Sequence, residues 1–231
     1  GFVNTTFEIG SLGDTNRAVQ RADAAGLVAD GYTDVPNPAM IWGRPKVDDD
    51  MKLFVNFGAD LGNNTEMYGY ANSTTKKIDG GFYFRNPTNR GGVYGNGSTL
   101  LIGDMDGIGV GTDCPVVTLD GNTPDPVAMA IVAADPNCFS FQETIPGGFT
   151  PRFGGTMTDQ AMLFGLRGEM ANGIGWDVSS YYGKNEADFF INNTVNASMG
   201  PNSPRDFDPG LYRQAETSLN ADFTYAMSDA V

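Results

Sequence analysis

The feature that most limits what this chain can become is a period-two alternation of apolar and polar residues in six separate segments. Such alternation sends successive side chains to opposite faces of an extended strand. In 2–9, Val3, Thr5, Phe7 and Ile9 stand against Asn4, Thr6 and Glu8; in 51–60, Leu53, Val55 and Phe57 stand against Lys52, Asn56 and Asp60. The segment 65–76 is less sharply divided, with Met67, Gly69 and Ala71 opposite Glu66, Tyr68, Tyr70 and Asn72. In 161–170, Met162, Phe164, Leu166 and Met170 oppose Arg167 and Glu169, and in 176–184, Trp176, Val178 and Tyr182 oppose Asp177, Ser179 and Tyr181. The cleanest is 217–227, where Leu219, Ala221, Phe223, Tyr225 and Met227 oppose Asn220, Asp222 and Thr224. One oily and one wet face predict an all-β, antiparallel sheet rather than strands buried on both sides.

The connections narrow the class further. Two are turn-like, Leu61-Gly62-Asn63-Asn64 and Ala171-Asn172-Gly173-Ile174-Gly175, and Asn-Gly favours a tight hairpin. Three are long, at 10–50, 77–160 and 185–216, so long and short connections alternate. Short turns at one end and long extracellular loops at the other are the habit of transmembrane β-barrels. Compact soluble domains seldom carry structureless loops of such length.

Composition excludes several functions. The net charge of −14 repels phosphate backbones, so no nucleic-acid partner is expected. The sequence contains no His, which removes the commonest general base and metal ligand, and no enzyme, cofactor or metal site is expected. No apolar run is long enough for a transmembrane helix. The two cysteines, Cys114 and Cys138, lie in the second long connection without a C-x-x-C spacing, and read as one disulfide of an oxidising compartment. Between them Asp125–Ala134 reads as a short helix opened by Thr123-Pro124. A disulfide bracketing that helix is worth about 3 kcal/mol in the chain-entropy picture. In the first connection, Asn16–Gly31 carries alanines at helical spacing, and Val35-Pro36-Asn37-Pro38 imposes extended backbone.

Ordered motifs then carry a family resemblance. They are Leu53-Phe54-Val55-Asn56-Phe57-Gly58, Thr65-Glu66-Met67-Tyr68-Gly69-Tyr70, and Gly80-Gly81-Phe82-Tyr83-Phe84-Arg85-Asn86-Pro87. Further along come Phe141-Gln142-Glu143, Pro146-Gly147-Gly148-Phe149-Thr150-Pro151-Arg152-Phe153, Gly165-Leu166-Arg167-Gly168-Glu169, Gly175-Trp176-Asp177-Val178, and 193–201. In this succession the chain resembles the barrel of TonB-dependent outer-membrane receptors, over most of its length. The resemblance implies a barrel of about 22 strands, of which these residues would supply six. It also implies energy-coupled uptake of a carbohydrate, siderophore or similar nutrient across a bacterial outer membrane. The implied partners are the imported small molecule, outer-membrane lipid, and the TonB complex acting through a plug and TonB box. Neither plug nor TonB box is found in 1–231, and both ends of the chain open on alternating residues, so a fragment of the barrel domain is expected.

Within that frame Tyr83, Arg85, Arg90 and Arg152 are the candidate ligand contacts, placed in the long loop 77–160. Aromatic stacking and forked guanidinium hydrogen bonds suit a sugar or an anionic group. Trp176 and Tyr182 sit near opposite ends of one oily strand face, about 20 Å apart, as interfacial aromatics of the two girdles would. Asp104, Asp106, Asp113 and Asp120 crowd a glycine-rich stretch, but their spacing fails the Ca²⁺-loop motif and a solvated acidic loop is expected. Arg167, Glu169, Asp177 and Asp222 share the polar face as lumen-lining charges. The competing reading is a soluble, secreted all-β module that binds carbohydrate. Such a module requires buried oily faces and no bare strand edge.

Overall fold

Each alternating segment becomes a strand: β1 (Phe2–Leu12), β2 (Lys46–Gly62), β3 (Thr65–Gly81), β4 (Arg152–Glu169), β5 (Ile174–Asn192) and β6 (Phe207–Tyr225). The computed structural model describes residues 1–107 and 111–227; the last four residues of the chain lie outside it. The six strands form one antiparallel sheet in chain order. Asn63 and Asn64 take φ of +50° and +53° between the paired Gly62 and Thr65, so β2 and β3 join through a two-residue turn of mirror-image type. At the same end, Gly173 at φ +79° closes the β4–β5 turn, where Met170 N–H donates to Ile174 O at 2.8 Å.

The strands run well beyond the alternating segments, so the long connections shrink to 13–45, 82–151 and 193–206. Arg152 is therefore the first residue of β4 and not a loop residue. β5 likewise continues ten residues past Tyr182, which lies at mid-strand rather than at a strand end.

Cross-strand register shows which side chains share a face. Thr5, Val55, Ala71, Met162, Tyr182 and Thr217 form one row, with Val3, Phe57, Gly69, Phe164, Ser180 and Leu219 the next row toward the turns. This face, called outer below, is mainly apolar from the turns up to Tyr182, then changes. Above Tyr182 on β5 come Lys184, Glu186 and Asp188, flanked by Thr156 and Thr158 on β4, Lys77 and Asp79 on β3, and Arg213 on β6. The inner face does the reverse. Near the turns it carries Asp60, Glu66, Arg167, Asp177 and Asp222 in one row, and near the loops Ile78, Phe153, Met157, Ala187, Phe189 and Ile191.

The apolar outer band is not covered by any described part of the chain: Leu219 is 82% exposed, Ile9 73% and Phe223 63%. The buried core lies in the connections instead. Among the described residues, all buried hydrophobic side chains except Ala187 fall there. The helices α1 (Ala22–Ala29), α2 (Pro126–Ala134) and α3 (Phe141–Thr144) belong to this cap. Ala24, Leu27, Ala39 and Met40 of the first connection pack with Phe84 of the second. Tyr94, Phe139, Phe141 and Phe149 pack with Val195 and Ala197 of the third. A third cluster of Leu100, Ile102, Val117, Ala128 and Val132 surrounds the Cys114–Cys138 disulfide, whose Cα atoms are 5.5 Å apart.

Asp125 caps α2, its carboxylate accepting from Val127 N–H at 2.8 Å and Ala128 N–H at 3.2 Å. Thr123–Pro124 does not open that helix as expected. It pairs with Leu119–Asp120 in a small hairpin, and Pro126 takes the first helical turn.

No closed barrel forms among the described residues. β1 and β6 are each paired on one side only.

Candidate functional site

Two places gather functional side chains, one on the inner face near the turns and one in the cap. On the inner face the row Asp60–Glu66–Arg167–Asp177–Asp222 crosses five strands, with one guanidinium among four carboxylates. Arg167 pairs with Glu66 at 2.7 Å and lies over the Tyr68 ring at 5.4 Å. Tyr68 O–H donates to Asp177 Oδ1 at 2.6 Å. The ring fits because residue 165 on β4 is Gly; a β-carbon there would lie 2.4 Å from Tyr68 Cζ. A recess of about 730 Å³ opens at this end, lined by Asp60, Glu66, Arg167, Glu169, Asp177 and Asp222. Of the four charges predicted to share this face, Arg167, Asp177 and Asp222 stand in one row and Glu169 lies one step nearer the turn.

In the cap Phe82 touches both Tyr83 and Arg85, and the charge of Arg90 is near enough to act on Arg85. The Arg85 backbone bridges to Phe149, with N–H to O at 2.7 Å, which fixes its direction. Its guanidinium lies over the Phe82 ring at 5.3 Å. Phe82 and Tyr83 are edge-on at 5.6 Å, and Tyr83 meets Trp42 edge-on at 5.5 Å. The ring series continues onto the sheet, from Phe82 to Phe153 at 6.2 Å and Phe153 to Phe189 at 5.6 Å. Trp42 is 60% exposed and Tyr83 53%.

Arg85 Nη1 is shut off from water and meets no acceptor. An unanswered buried donor costs about 1–3 kcal/mol. Burial, and then the charge of Arg90, hold the Arg85 guanidinium below its ordinary pKa. Among the described residues no carboxylate pairs with Arg85 or Arg90.

Arg152 does not join this group. It is ion-paired with Asp79 at 2.8 Å, on the outer face of the sheet. Trp176 and Tyr182 both lie on that outer face, Trp176 beside Phe223 near the turns and Tyr182 as the last apolar residue before Lys184. Of the four loop aspartates, Asp104 and Asp113 approach one another beside Cys114, whose sulfur is in the disulfide. Asp104 and Asp113 accept backbone N–H bonds, and Asp106 and Asp120 are not part of that group.

The sequence reading missed Trp42, Phe82, Phe153 and Phe189. Phe82 adjoins Tyr83 after Gly80-Gly81, and that doublet was the available signal. The stacking of Phe153 on Phe189 depends on β4–β5 register, which composition does not reveal.

No protein-family model, no curated protein and no solved structure matches the chain.

Proposed function

We propose that this chain is part of the barrel wall of a TonB-dependent outer-membrane receptor that takes up a small nutrient by energy coupling. The observation that carries the membrane part is the bounded apolar band on the outer face. An uncovered oily surface across six strands has no stable place in water, whereas an outward apolar band about 25 Å tall, flanked by aromatics, suits lipid. Trp176 and Tyr182 then stand at its two borders, and Lys184, Glu186, Asp188 and Arg213 begin the water-exposed part of the wall. The upper border is oblique. In the row Ile9–Met51–Thr75–Thr158–Glu186–Arg213 the first two strands are still apolar while the last two are charged. Strands tilted against the membrane normal produce that slope.

The receptor part rests on the ordered motifs from Leu53 to Pro201 and on the folded cap at the end opposite the short turns. In this reading the cap faces outside the cell and the inner face lines the lumen. The edges of β1 and β6 are completed by strands beyond these six, and the TonB complex acts through a plug supplied outside these residues. The alternative, a secreted carbohydrate-binding module, lacks its two requirements: the oily face is bare and both edge strands are open.

Fractionation of source cells tests this reading. These residues are expected in the carbonate-washed outer-membrane pellet, released only by detergent. Recovery from a detergent-free soluble fraction would overturn it.

A further inference from the structure

The helix α2 turns an apolar side to solvent. Its nine residues, Pro126–Ala134, carry no polar side chain, whereas α1 has Asp23 and α3 has Gln142 and Glu143. One side faces the core, where Ala128 and Val132 pack in the cluster around the Cys114–Cys138 disulfide. The other side holds Val127, Ala130, Ile131 and Ala134, whose spacing of three and four residues makes one stripe. Val127 is 70% exposed and Ile131 47%, and with Pro136 they line a shallow hollow of about 630 Å³. The solvent side of a surface helix is ordinarily polar, and an apolar patch in its place marks an interaction surface. The surroundings are acidic. Asp125 and Asp135 flank the helix, and between Arg90 and Arg152 the sequence holds six aspartates and Glu143 but no Lys or Arg.

We propose that the solvent side of α2 docks a basic amphipathic helix of a partner protein. Its apolar side chains would lie on Val127, Ala130, Ile131 and Ala134, and its Lys or Arg side chains beside Asp125 and Asp135. Charge decides between the possible occupants. A lipid surface with anionic headgroups would meet a cap segment that has only carboxylates to offer. A second copy would set Asp125 and Asp135 against the same residues, and like charges across an interface cost several kcal/mol. A nine-residue helix also falls far short of the ~800 Å² per partner that a stable dimer buries. A helix with an oily stripe and a basic rim satisfies both features, since apolar contact gives affinity and opposite charge gives steering and register. The uptake reading is needed only to place this face outside the cell. The chemistry of the surface does not depend on it.

The test is fluorescence anisotropy of labelled peptides titrated with the full chain in non-ionic micelles, with empty micelles as the subtracted blank. The probes are a designed Leu/Lys amphipathic helix, its scrambled sequence and its Leu/Glu counterpart. The Leu/Lys helix is expected to bind at least tenfold tighter than either control and to weaken with added salt. Val127→Gln and Ile131→Gln, both at exposed positions, should each weaken it at least fivefold without moving the cap's melting temperature. Asp135→Asn, which keeps the acceptor for Asn137 N–H, should weaken it and flatten the salt dependence. No binding above the blank, equal binding of a control peptide, or full affinity in both Gln variants would overturn the proposal. A dimer of the chain that Ile131→Gln dissolves would give the face to a second copy. Retention on anionic vesicles that the same variant abolishes would give it to lipid, and either result overturns the proposal. Peptide binding in micelles does not require insertion into a bilayer, so its failure leaves the membrane reading standing. Failure of membrane fractionation would leave the peptide result untouched.

Discussion

Tyr182 and Lys184 are successive residues on one face of β5, and the outer surface changes chemistry between them. Below Tyr182 the neighbours are Val178 and Trp176; above it, Lys184 pairs with Glu186 at 2.7 Å. On the proposed membrane reading, a charge placed below this border meets lipid, whereas one above it meets water. Val178→Arg should therefore cost about 2–4 kcal/mol of stability in vesicles. The conservative counterpart Lys184→Ala should leave insertion unchanged. Urea titration of vesicle-bound protein separates the two, and equal effects would refute the border.

The disulfide should stabilise the cap and not the sheet. Cys114 and Cys138 enclose a 24-residue separation around α2, and removing the link frees the unfolded loop. Cys114→Ser with Cys138→Ser should cost the cap about 3 kcal/mol. Limited proteolysis is expected to nick 100–140 early while amide exchange in β3–β5 is unaltered.

Tyr94 makes cap stability fall at alkaline pH. Its ring is fully buried, its O–H donates to Ile145 O at 2.8 Å, and burial pushes the phenol well above its ordinary 10.0. The folded pKa exceeds the unfolded one, so this stabilisation is complete below pH about 10 and declines as pH rises from there toward the folded value. Tyr94→Phe should remove that decline and cost about 1–3 kcal/mol at pH 8 by leaving the Ile145 carbonyl unanswered. Cap melting followed from pH 8 to 11 checks both.

Asp23 supplies the opposite slope. The Arg21 guanidinium, 2.9 Å away, holds its carboxyl below the ordinary 3.8. That contribution is present above pH about 3.8 and is lost as pH falls through the folded value. Asp23→Asn should flatten the acid limb of the cap's melting profile and leave neutral pH little changed, since the pair is partly exposed.

Gly165 should resist substitution for a packing reason. A β-carbon at this position meets the Tyr68 ring at 2.4–2.6 Å, so Gly165→Ala must displace Tyr68 from Asp177. Overpacking of this kind costs about 1–3 kcal/mol. Tyr68→Ala combined with Gly165→Ala should recover part of the loss, and simple additivity would contradict the contact.

The sequence made the lower half of the sheet legible and hid the upper half. Val3–Ile9, Leu53–Phe57 and Leu219–Tyr225 alternate because each keeps its apolar residues on one face of the sheet throughout. Above Tyr182 the two faces exchange character: Lys184, Glu186 and Asp188 occupy the formerly oily side while Ala187 and Phe189 turn inward. A search for one persistent apolar face stops where that exchange occurs, which is why Arg152 was read as loop and β5 as ending early. The disulfide and the α2 helix were legible from local residues. The three cap cores were not, because Phe84, Phe149 and Val195 meet partners from other connections. Tyr83 and Arg85 were named from residue type and their place in the long loop, and only the fold brings Trp42 against Tyr83.

The most direct test of the proposed lipid-facing band uses its one tryptophan, Trp176. Trp42→Phe leaves Trp176 as the sole tryptophan, low on the outer face. The full chain, folded into vesicles whose lipids carry bromine at graded acyl depths, should show Trp176 quenched most strongly by the shallowest bromines. Lys184→Trp in the same background should report no comparable quenching at any acyl depth. Unquenched Trp176 in a monomeric protein that stays in buffer without detergent would contradict the membrane-wall account.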